Sequence, residues 1–152
     1  MCGKIGAGKT TLAQQLAAAP KTILVSEDDW LSQLYPDEIN NLADYVRCTG
    51  RFRKVLAGHI EALLRAGLSV VLDLPANTPA SRQWAKTIFE NSAVAHELHY
   101  LDVPNETCRA RLRERNATGS HPFMASDDEF DEITRYFVPP SPDEGFNVIR
   151  HT

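Results

Sequence analysis

A glycine-rich segment close to the N-terminus constrains the fold more than any other part of the 152-residue chain. Residues 3–10 read GKIGAGKT and match the pattern GxxxxGK[ST] in full. The residues after it, 11–19, have the composition of a helix, which Pro20 ends. A glycine-rich loop that opens a helix directs backbone N–H groups at an anion, and the helix dipole favours the same negative charge. The segment therefore predicts a phosphate-binding loop within a fold that alternates strands and helices.

The loop residues have predicted parts in holding the phosphates of ATP together with Mg²⁺. Lys9 is expected to bridge the β- and γ-phosphates, and the hydroxyl of Thr10 is expected to ligate Mg²⁺. Backbone groups of the neighbouring residues would surround the phosphates. The predicted nucleotide-binding residues in this segment are Gly3, Gly6, Ala7, Gly8, Lys9, Thr10 and Thr11.

Beyond the loop, short apolar runs alternate with longer segments of helical periodicity. Strands are predicted at 22–25, 68–74, 97–102 and 146–149, with helices from Arg51 to Gly67, from Thr78 to Asn91, from Pro104 and from Ser126. Residues 36–49 have mixed periodicity and receive no assignment. Strands separated by helices indicate right-handed crossovers and a parallel sheet. We therefore predict an α/β fold with three α/β/α layers, in one domain covering residues 1–152.

Charge and composition narrow the class of ligand. The net charge of −4 gives no long-range attraction for nucleic acid or an anionic membrane, which favours a small anionic ligand held by local donors. No apolar run approaches the roughly 20 residues that cross a bilayer. The three cysteines have no disulfide or zinc spacing, so we expect a reducing, cytoplasmic compartment.

The start of the chain conflicts with the fold that the loop requires. A phosphate loop of this kind follows a buried central strand, yet only Met1 and Cys2 precede Gly3. Without that strand its neighbours would lose main-chain hydrogen bonds, at about 1 to 3 kcal/mol for each buried group. We therefore expect the first strand to be truncated here, with roughly five to eight residues of it encoded upstream.

Acidic residues follow two of the predicted strands, where the carboxyl ends of a parallel sheet place ligand-binding groups. Asp73 ends the run SVVLD and is the expected second ligand of Mg²⁺. Asp28 or Asp29, after the strand at 22–25, is the expected base that accepts the proton of an attacking hydroxyl. We favour Asp28, although the spacing alone does not separate the two. One of these acids could instead cap the helix that begins near Trp30.

Arginines mark the helix that starts at Pro104. Arg111 and Arg115 are four residues apart and share one helix face, so both can reach phosphates and stabilise charge during transfer. Arg113 fits a solvated surface. With the polar loop that follows, this helix predicts a lid at about 109–125, in which His121 is a candidate substrate contact.

The segment after Asp73 contains two more candidate residues for the acceptor site, where the attacking hydroxyl would bind. Asn77 and Arg82 are expected to face the acceptor site. Trp84, Ile88 and Phe89 have helical spacing and are expected in the core.

Five segments together resemble the AAA-like P-loop kinases, a group related to polynucleotide kinases, zeta toxins, gluconate kinase and chloramphenicol phosphotransferase. They read GKIGAGKTTLA, SEDDW, VVLDLPANT, LDVPNETCRARLRERN and FVPPSPDEGFNVI and run nearly the length of the chain. The resemblance implies a nucleoside-monophosphate-kinase-like sheet with strand order 2-3-1-4-5 and transfer of the ATP γ-phosphate to a hydroxyl. It also implies that the 142–145 loop lies near the adenine.

Three functions follow from these residues. The first is phosphorylation of a hydroxyl on a small molecule by ATP and Mg²⁺. The second is phosphorylation of a polynucleotide 5′-hydroxyl, which the acidic residues Glu27, Asp37, Glu38 and Asp44 disfavour, since nucleic acid requires a basic groove. The third is a nucleotide-dependent switch whose ATP hydrolysis yields no phosphorylated product.

Overall fold

Each strand is separated from the next by one or more helices in the computed structural model, which describes residues 1–119 and 124–152. The strands are β1 (Thr22–Ser26), β2 (Ser69–Asp73), β3 (Leu98–Leu101) and β4 (Val148–His151). The helices are α1 (Lys9–Ala17), α2 (Glu27–Leu34), α3 (Leu42–Arg65), α4 (Pro79–Ser92), α5 (Asn105–Thr118) and α6 (Asp127–Arg135), with a 3-10 turn at Pro142–Glu144. The predicted α/β class is confirmed.

The strands pair in parallel. β1 lies beside β2 with Val25 opposite Leu72, and β3 lies beside β4 with Leu98 opposite Val148. Each pair is joined through at least one helix, as parallel pairing requires. Within each pair the carboxyl ends therefore lie at the same edge, where the loops that follow can form a site.

The first two residues of the chain connect the two strand pairs. The N–H of Cys2 donates to the carbonyl of His99 and the N–H of Leu101 donates to the carbonyl of Cys2, both over 2.8 Å. On the other side, the N–H of Ala76, just beyond β2, donates to the carbonyl of Met1 over 2.8 Å. Residues 1–2 thus lie between β2 and β3. These pairings agree with the order 2-3-1-4-5 if residues 1–2 occupy the place of strand 1.

Helix α3 begins earlier than the sequence pattern predicted. It starts at Leu42 rather than Arg51 and runs for 24 residues, with Gly50 inside it. The side chain of Asn41 caps it by accepting from the N–H of Asp44 over 2.9 Å, a common start signal within the unassigned segment. In residues 1–119 and 124–152, neither this long helix nor any other is long and apolar enough to cross a membrane.

The two capping sequences that mark later helices behave as expected. Thr78 accepts from the N–H of Ser81 over 3.1 Å and opens α4, which has Pro79 at its first position. Ser126 and Glu129 form the predicted capping box at the start of α6. These ends are therefore fixed by local hydrogen bonds that can be recognised from the sequence.

Two of the apolar clusters pack the helices against the strands and against the glycine-rich loop. One packs α3 and α4 against β1 and β2 and contains Val25, Leu31, Cys48, Phe52, Leu56, Ile60, Leu74 and Ile88. The other joins the glycine-rich loop to α5 and α6 and contains Ala7, Leu101, Cys108, Leu112 and Phe130. As predicted, Ile88 is buried and Trp84 packs against the first cluster. The loop thus has its own apolar support.

Candidate functional site

The glycine-rich loop ends at the N-terminus of α1. Gly8 caps the helix with φ of 99°, a left-handed conformation that glycine adopts without strain. Helices α2, α3, α4 and α6 each begin with a side-chain cap, but α1 has none and carries no acidic residue in its first turn. Its first N–H groups and its dipole therefore suit an anion, as the motif predicted.

Lys9 lies against the loop that it belongs to. Its Nζ atom donates to the carbonyl oxygens of Gly3 and Lys4 over 2.8 and 2.9 Å. Burial lowers the pKa of Lys9, and the nearby carboxylates of Asp73 and Asp28 oppose that shift. The ammonium group is thus placed between the loop backbone and the two acids that the sequence singled out.

Thr10 and Asp73, the two predicted magnesium donors, lie within hydrogen-bond contact of each other. A hydrogen bond from Thr10 and the charge of Lys9 lower the pKa of Asp73, but burial outweighs both and raises it. No group of three His, Cys, Asp or Glu side chains in the described ranges could hold a metal by itself. Magnesium sites in nucleotide-binding proteins use one or two protein ligands, with phosphate and water completing the set, so this donor pair fits the ion.

The two candidate bases differ in their surroundings. Asp28 is half-buried, and its charge acts on Lys9, Asp73 and Arg115. Asp29 is exposed, and its backbone N–H donates to the Ser26 hydroxyl that caps α2 over 3.4 Å. Asp28 is therefore the candidate base that interacts with the other predicted site residues. The prediction that one of the acids caps a helix near Trp30 is wrong, because α2 begins at Glu27 and the Ser26 hydroxyl caps it.

The arginines of α5 divide between two faces. Arg109 and Arg113 form ion pairs with Asp131 and Asp127 of α6. Arg111 points the other way, and its Nη1 atom donates to the carbonyl of Ala7 over 3.2 Å. The face with positions 111 and 115 is thus the one turned towards the glycine-rich loop.

Arg115 presents a guanidinium group that is partly buried in the site. Within the part of the chain that the structure describes, its buried Nε and Nη2 atoms have no hydrogen-bond acceptor. Burial lowers the pKa of Arg115, which Asp28 opposes. Buried donors without acceptors are costly, so these two atoms indicate a place for an anionic ligand.

The segment after β2 has a different role from the one predicted. The prediction that Arg82 faces the acceptor site is wrong, because its side chain is fully buried and pairs with Glu144 over 2.6 and 2.8 Å. Its Nη1 also donates to the carbonyls of Ala76 and Val138. Arg82 therefore anchors the proline-rich segment to α4. The candidate substrate contact His121 lies outside the described residues.

Asn77 supports the start of the glycine-rich loop. Its Oδ1 atom accepts from the N–H of Gly3 over 2.9 Å, and its carbonyl accepts from the N–H of Val138 over 2.9 Å. The amide is therefore bound to the loop backbone rather than directed at an acceptor. Such a role leaves no sequence signal beyond a polar residue after a strand.

Sequence reasoning also missed a buried ion pair beneath Asp28. Glu27 is 1% exposed and accepts from Nε and Nη2 of Arg53 over 2.8 and 3.2 Å. The hydroxyl of Tyr45 donates to Glu27 over 2.9 Å and contacts Asp28 over 3.4 Å. Tyr45 lies in the segment that received no assignment. The only available signal was the position of Glu27 directly before the candidate base.

Comparisons with solved structures agree with this fold. A candidate kinase from Chloroflexus aurantiacus J-10-fl superposes with a TM-score of 0.74 at 17% identity, over 99% of this chain and 82% of its own. Kti12 from Chaetomium thermophilum, solved with ADP-AlF3, gives 0.68 at 15% identity, over 99% and 86%. APE1195 gives 0.68 at 20% identity, over 99% and 82%. At such identities these likenesses show a shared P-loop kinase-like fold.

Comparison with sequences gives a family as well as a fold. No curated protein matches the chain. A family model described as an AAA domain, AAA_33, matches residues 1–140, which include the loop, both site acids and all of α5 and α6. With the glycine-rich loop at the head of α1 and the parallel strands behind it, this match shows that the chain belongs to the AAA_33 family of P-loop AAA domains.

Proposed function

We propose that this protein is a Mg²⁺-dependent kinase that transfers the γ-phosphate of ATP to a hydroxyl of a small molecule. One observation carries the proposal. The charge of Asp28 acts both on Lys9, which lies at the uncapped N-terminus of α1, and on Arg115 of α5. A switch ATPase needs the loop and its lysine, but a carboxylate placed beside them provides the base that hydroxyl transfer requires.

The phosphate side of the site consists of the loop and its lysine. The first N–H groups of α1 and the ammonium of Lys9 would bind the phosphate oxygens, with Lys9 exchanging its bonds to Gly3 and Lys4 for bonds to the nucleotide. Thr10 and Asp73 would hold Mg²⁺, which neutralises phosphate charge when it is bound. These residues bind and orient the donor.

The transfer side consists of Asp28 and the arginines of α5. Asp28 would accept the proton of the attacking hydroxyl, whose oxygen forms the new bond to the γ-phosphorus while the bond to the bridging oxygen of ADP breaks. Arg115, with two donors that lack acceptors among the described residues, would bind the transferred phosphoryl group. Arg111 reaches the loop at Ala7 and would add positive charge there.

A small acceptor fits the charges around the site better than nucleic acid does. The chain has a net charge of −4, and Asp28 is followed by further acids at Asp37, Glu38 and Asp44. A polynucleotide would need positive charge along its path. Arg53, a basic residue of α3, is already paired with Glu27.

The test is a screen of hydroxyl compounds, including sugars, polyols, nucleosides and a 5′-hydroxyl oligonucleotide, with γ-labelled ATP. We expect a labelled small-molecule product from the wild type. Lys9→Ala should abolish labelling, and Asp28→Asn should keep ATP binding but slow transfer by about 100-fold or more. Product from the oligonucleotide alone would support the polynucleotide function. Phosphate release with no labelled product from any acceptor would support the switch.

A further inference from the structure

Helix α3 brings a tyrosine hydroxyl up to the two carboxylates at the start of α2. The Oη atom of Tyr45 lies 2.9 Å from Oε1 of Glu27 and 3.4 Å from Oδ1 of Asp28. A hydroxyl has one proton to donate and two lone pairs that accept. It can therefore donate to Glu27 and still accept from Asp28 when that group is protonated.

Glu27 is fixed on its other side by Arg53. Nε and Nη2 of the guanidinium meet Oε2 and Oε1 of Glu27 in a two-point contact, and Glu27 is almost completely buried. Two-point pairs of this kind hold both partners in one orientation. Arg53 is held in turn by the Trp84 ring, 5.3 Å from the guanidinium carbon. The position of Tyr45 is thus set by a chain of contacts from the core.

The surroundings also keep Tyr45 protonated. Burial raises its pKa well above the usual range, and the charges of Glu27 and Asp28 raise it further. The group is therefore a hydrogen-bonding hydroxyl at neutral pH. It is not itself a base.

We propose that Tyr45 is a positioning residue for Asp28, which it orients through the hydrogen bond that forms between them as Asp28 takes the proton of the acceptor hydroxyl. This inference rests on the proposed function. During transfer the proton of the acceptor passes to Asp28, whose new O–H can donate to the Tyr45 oxygen while Tyr45 continues to donate to Glu27. No proton is lost from Glu27, Tyr45 and Asp28 in this step. Tyr45 stabilises the protonated base, and the pair of Glu27 and Arg53 keeps Tyr45 in place.

The test does not require the acceptor to be known. Binding of Mg·ADP and of Mg·ADP·AlF3, which mimics the phosphoryl group in transfer, is measured by calorimetry, and the ratio of the two affinities is compared between variants. A site that holds its base in place should prefer ADP·AlF3. Tyr45→Phe should leave ADP affinity unchanged and reduce the preference between about 10-fold and 100-fold. A purely structural role would change both affinities together and leave the ratio unchanged.

Tyr35→Phe is the matched control, since Tyr35 packs against the same apolar cluster and is not part of the site. It should retain the ratio of the wild type. Glu27→Gln is a second variant, and it should lower the ratio by a smaller factor than Tyr45→Phe does. If circular dichroism shows that Tyr45→Phe is unfolded, Glu27→Gln takes its place in the test. A ratio unchanged in the folded variants overturns the role of Tyr45. No preference in the wild type would instead overturn the proposed function.

Discussion

Gly6 of the glycine-rich loop faces the carbonyl group of Cys108 in α5 at a distance that leaves no room for a side chain. A Cβ at Gly6 would lie 2.3 Å from the Cys108 oxygen, and the backbone of Gly6 has φ of +78°. The neighbouring Ala7 packs with Cys108 and Leu112 in one apolar cluster. The first half of α5 is therefore a wall of the phosphate loop as well as the start of the predicted lid.

The contact between Gly6 and Cys108 predicts that adding a single carbon at Gly6 weakens nucleotide binding. Gly6→Ala adds a carbon that collides with backbone and imposes a side chain on a left-handed residue, so the loop must move. We expect affinity for MgATP to fall at least about 10-fold, because the loop N–H groups lose their common direction. Calorimetric titration of the folded Gly6→Ala variant measures this affinity.

Gly58→Ala is the control for that substitution. Gly58 lies within α3, and a Cβ there meets nothing within 4 Å. Alanine should therefore raise the free energy of unfolding by about 0.5 to 1 kcal/mol and leave nucleotide affinity unchanged. Equal nucleotide affinity in Gly6→Ala and Gly58→Ala would contradict the close contact between loop and α5.

Arg82 provides a prediction about stability. Its guanidinium is fully buried and paired with Glu144, so Arg82→Ala leaves buried acceptors without a donor. We expect the free energy of unfolding to fall by about 3 to 5 kcal/mol in urea denaturation. The exposed pair of Arg65 and Glu61 is the comparison, and Arg65→Ala should cost at most about 0.5 kcal/mol. A small loss in both variants would show that the buried pair of Arg82 and Glu144 does not stabilise the fold.

A histidine pair on the last two strands predicts a pH effect. Nδ1 of His99 lies 3.0 Å from Nε2 of His151, and burial followed by the charge of His151 lowers the pKa of His99, with Glu97 opposing. The folded state then binds its proton less readily than the unfolded state, whose pKa is about 6.5. Stability from this site is present above that pH and is lost as pH falls below it.

The measurement is urea denaturation of the wild type and of His99→Gln between pH 7.5 and 5.5, above the range where carboxylates titrate. The wild type should lose stability more steeply than His99→Gln as the pH falls. His59→Gln, at an exposed position on α3, should keep the steep slope. Parallel curves for the wild type and His99→Gln would show that this histidine is not the source.

Arginines on the two faces of α5 should differ in their effect on nucleotide affinity when they are replaced by alanine. Arg115→Ala should weaken binding of ADP·AlF3 more than binding of ADP, because its buried donors are placed for the phosphoryl group. Arg113→Ala removes an exposed ion pair with Asp127 and should change neither affinity. The two variants differ by two positions on one helix, which makes them a matched pair. Equal effects would contradict the division of α5 into two faces.

Local signals made much of this structure predictable from the sequence. The phosphate loop, the capping residues Thr78 and Ser126 and the strand that ends in Asp73 depend on neighbours a few positions away, and all appear as expected. The position of Asp28 at the carboxyl edge followed from the order of strand and helix.

Features that depend on distant partners could not be predicted in this way. Arg82 pairs with Glu144, 62 residues away, and Arg53 with Glu27, 26 residues away, and neither pair leaves a local pattern. The start of α3 was missed because Gly50 and the polar residues around it interrupt the apolar periodicity. The contacts that hold the site in place are therefore visible in the structure but leave no pattern in the sequence.

Every step of the proposed transfer requires nucleotide binding at Lys9, which calorimetric titration of the protein with MgATP measures. The wild type should bind one nucleotide per chain, and Lys9→Ala should lose at least about 10-fold in affinity, because the ammonium group meets the β- and γ-phosphates. Lys21→Ala, an exposed lysine beyond α1, should bind as the wild type does. Equal affinity in the wild type and Lys9→Ala, or no binding by the folded wild type, would contradict the account.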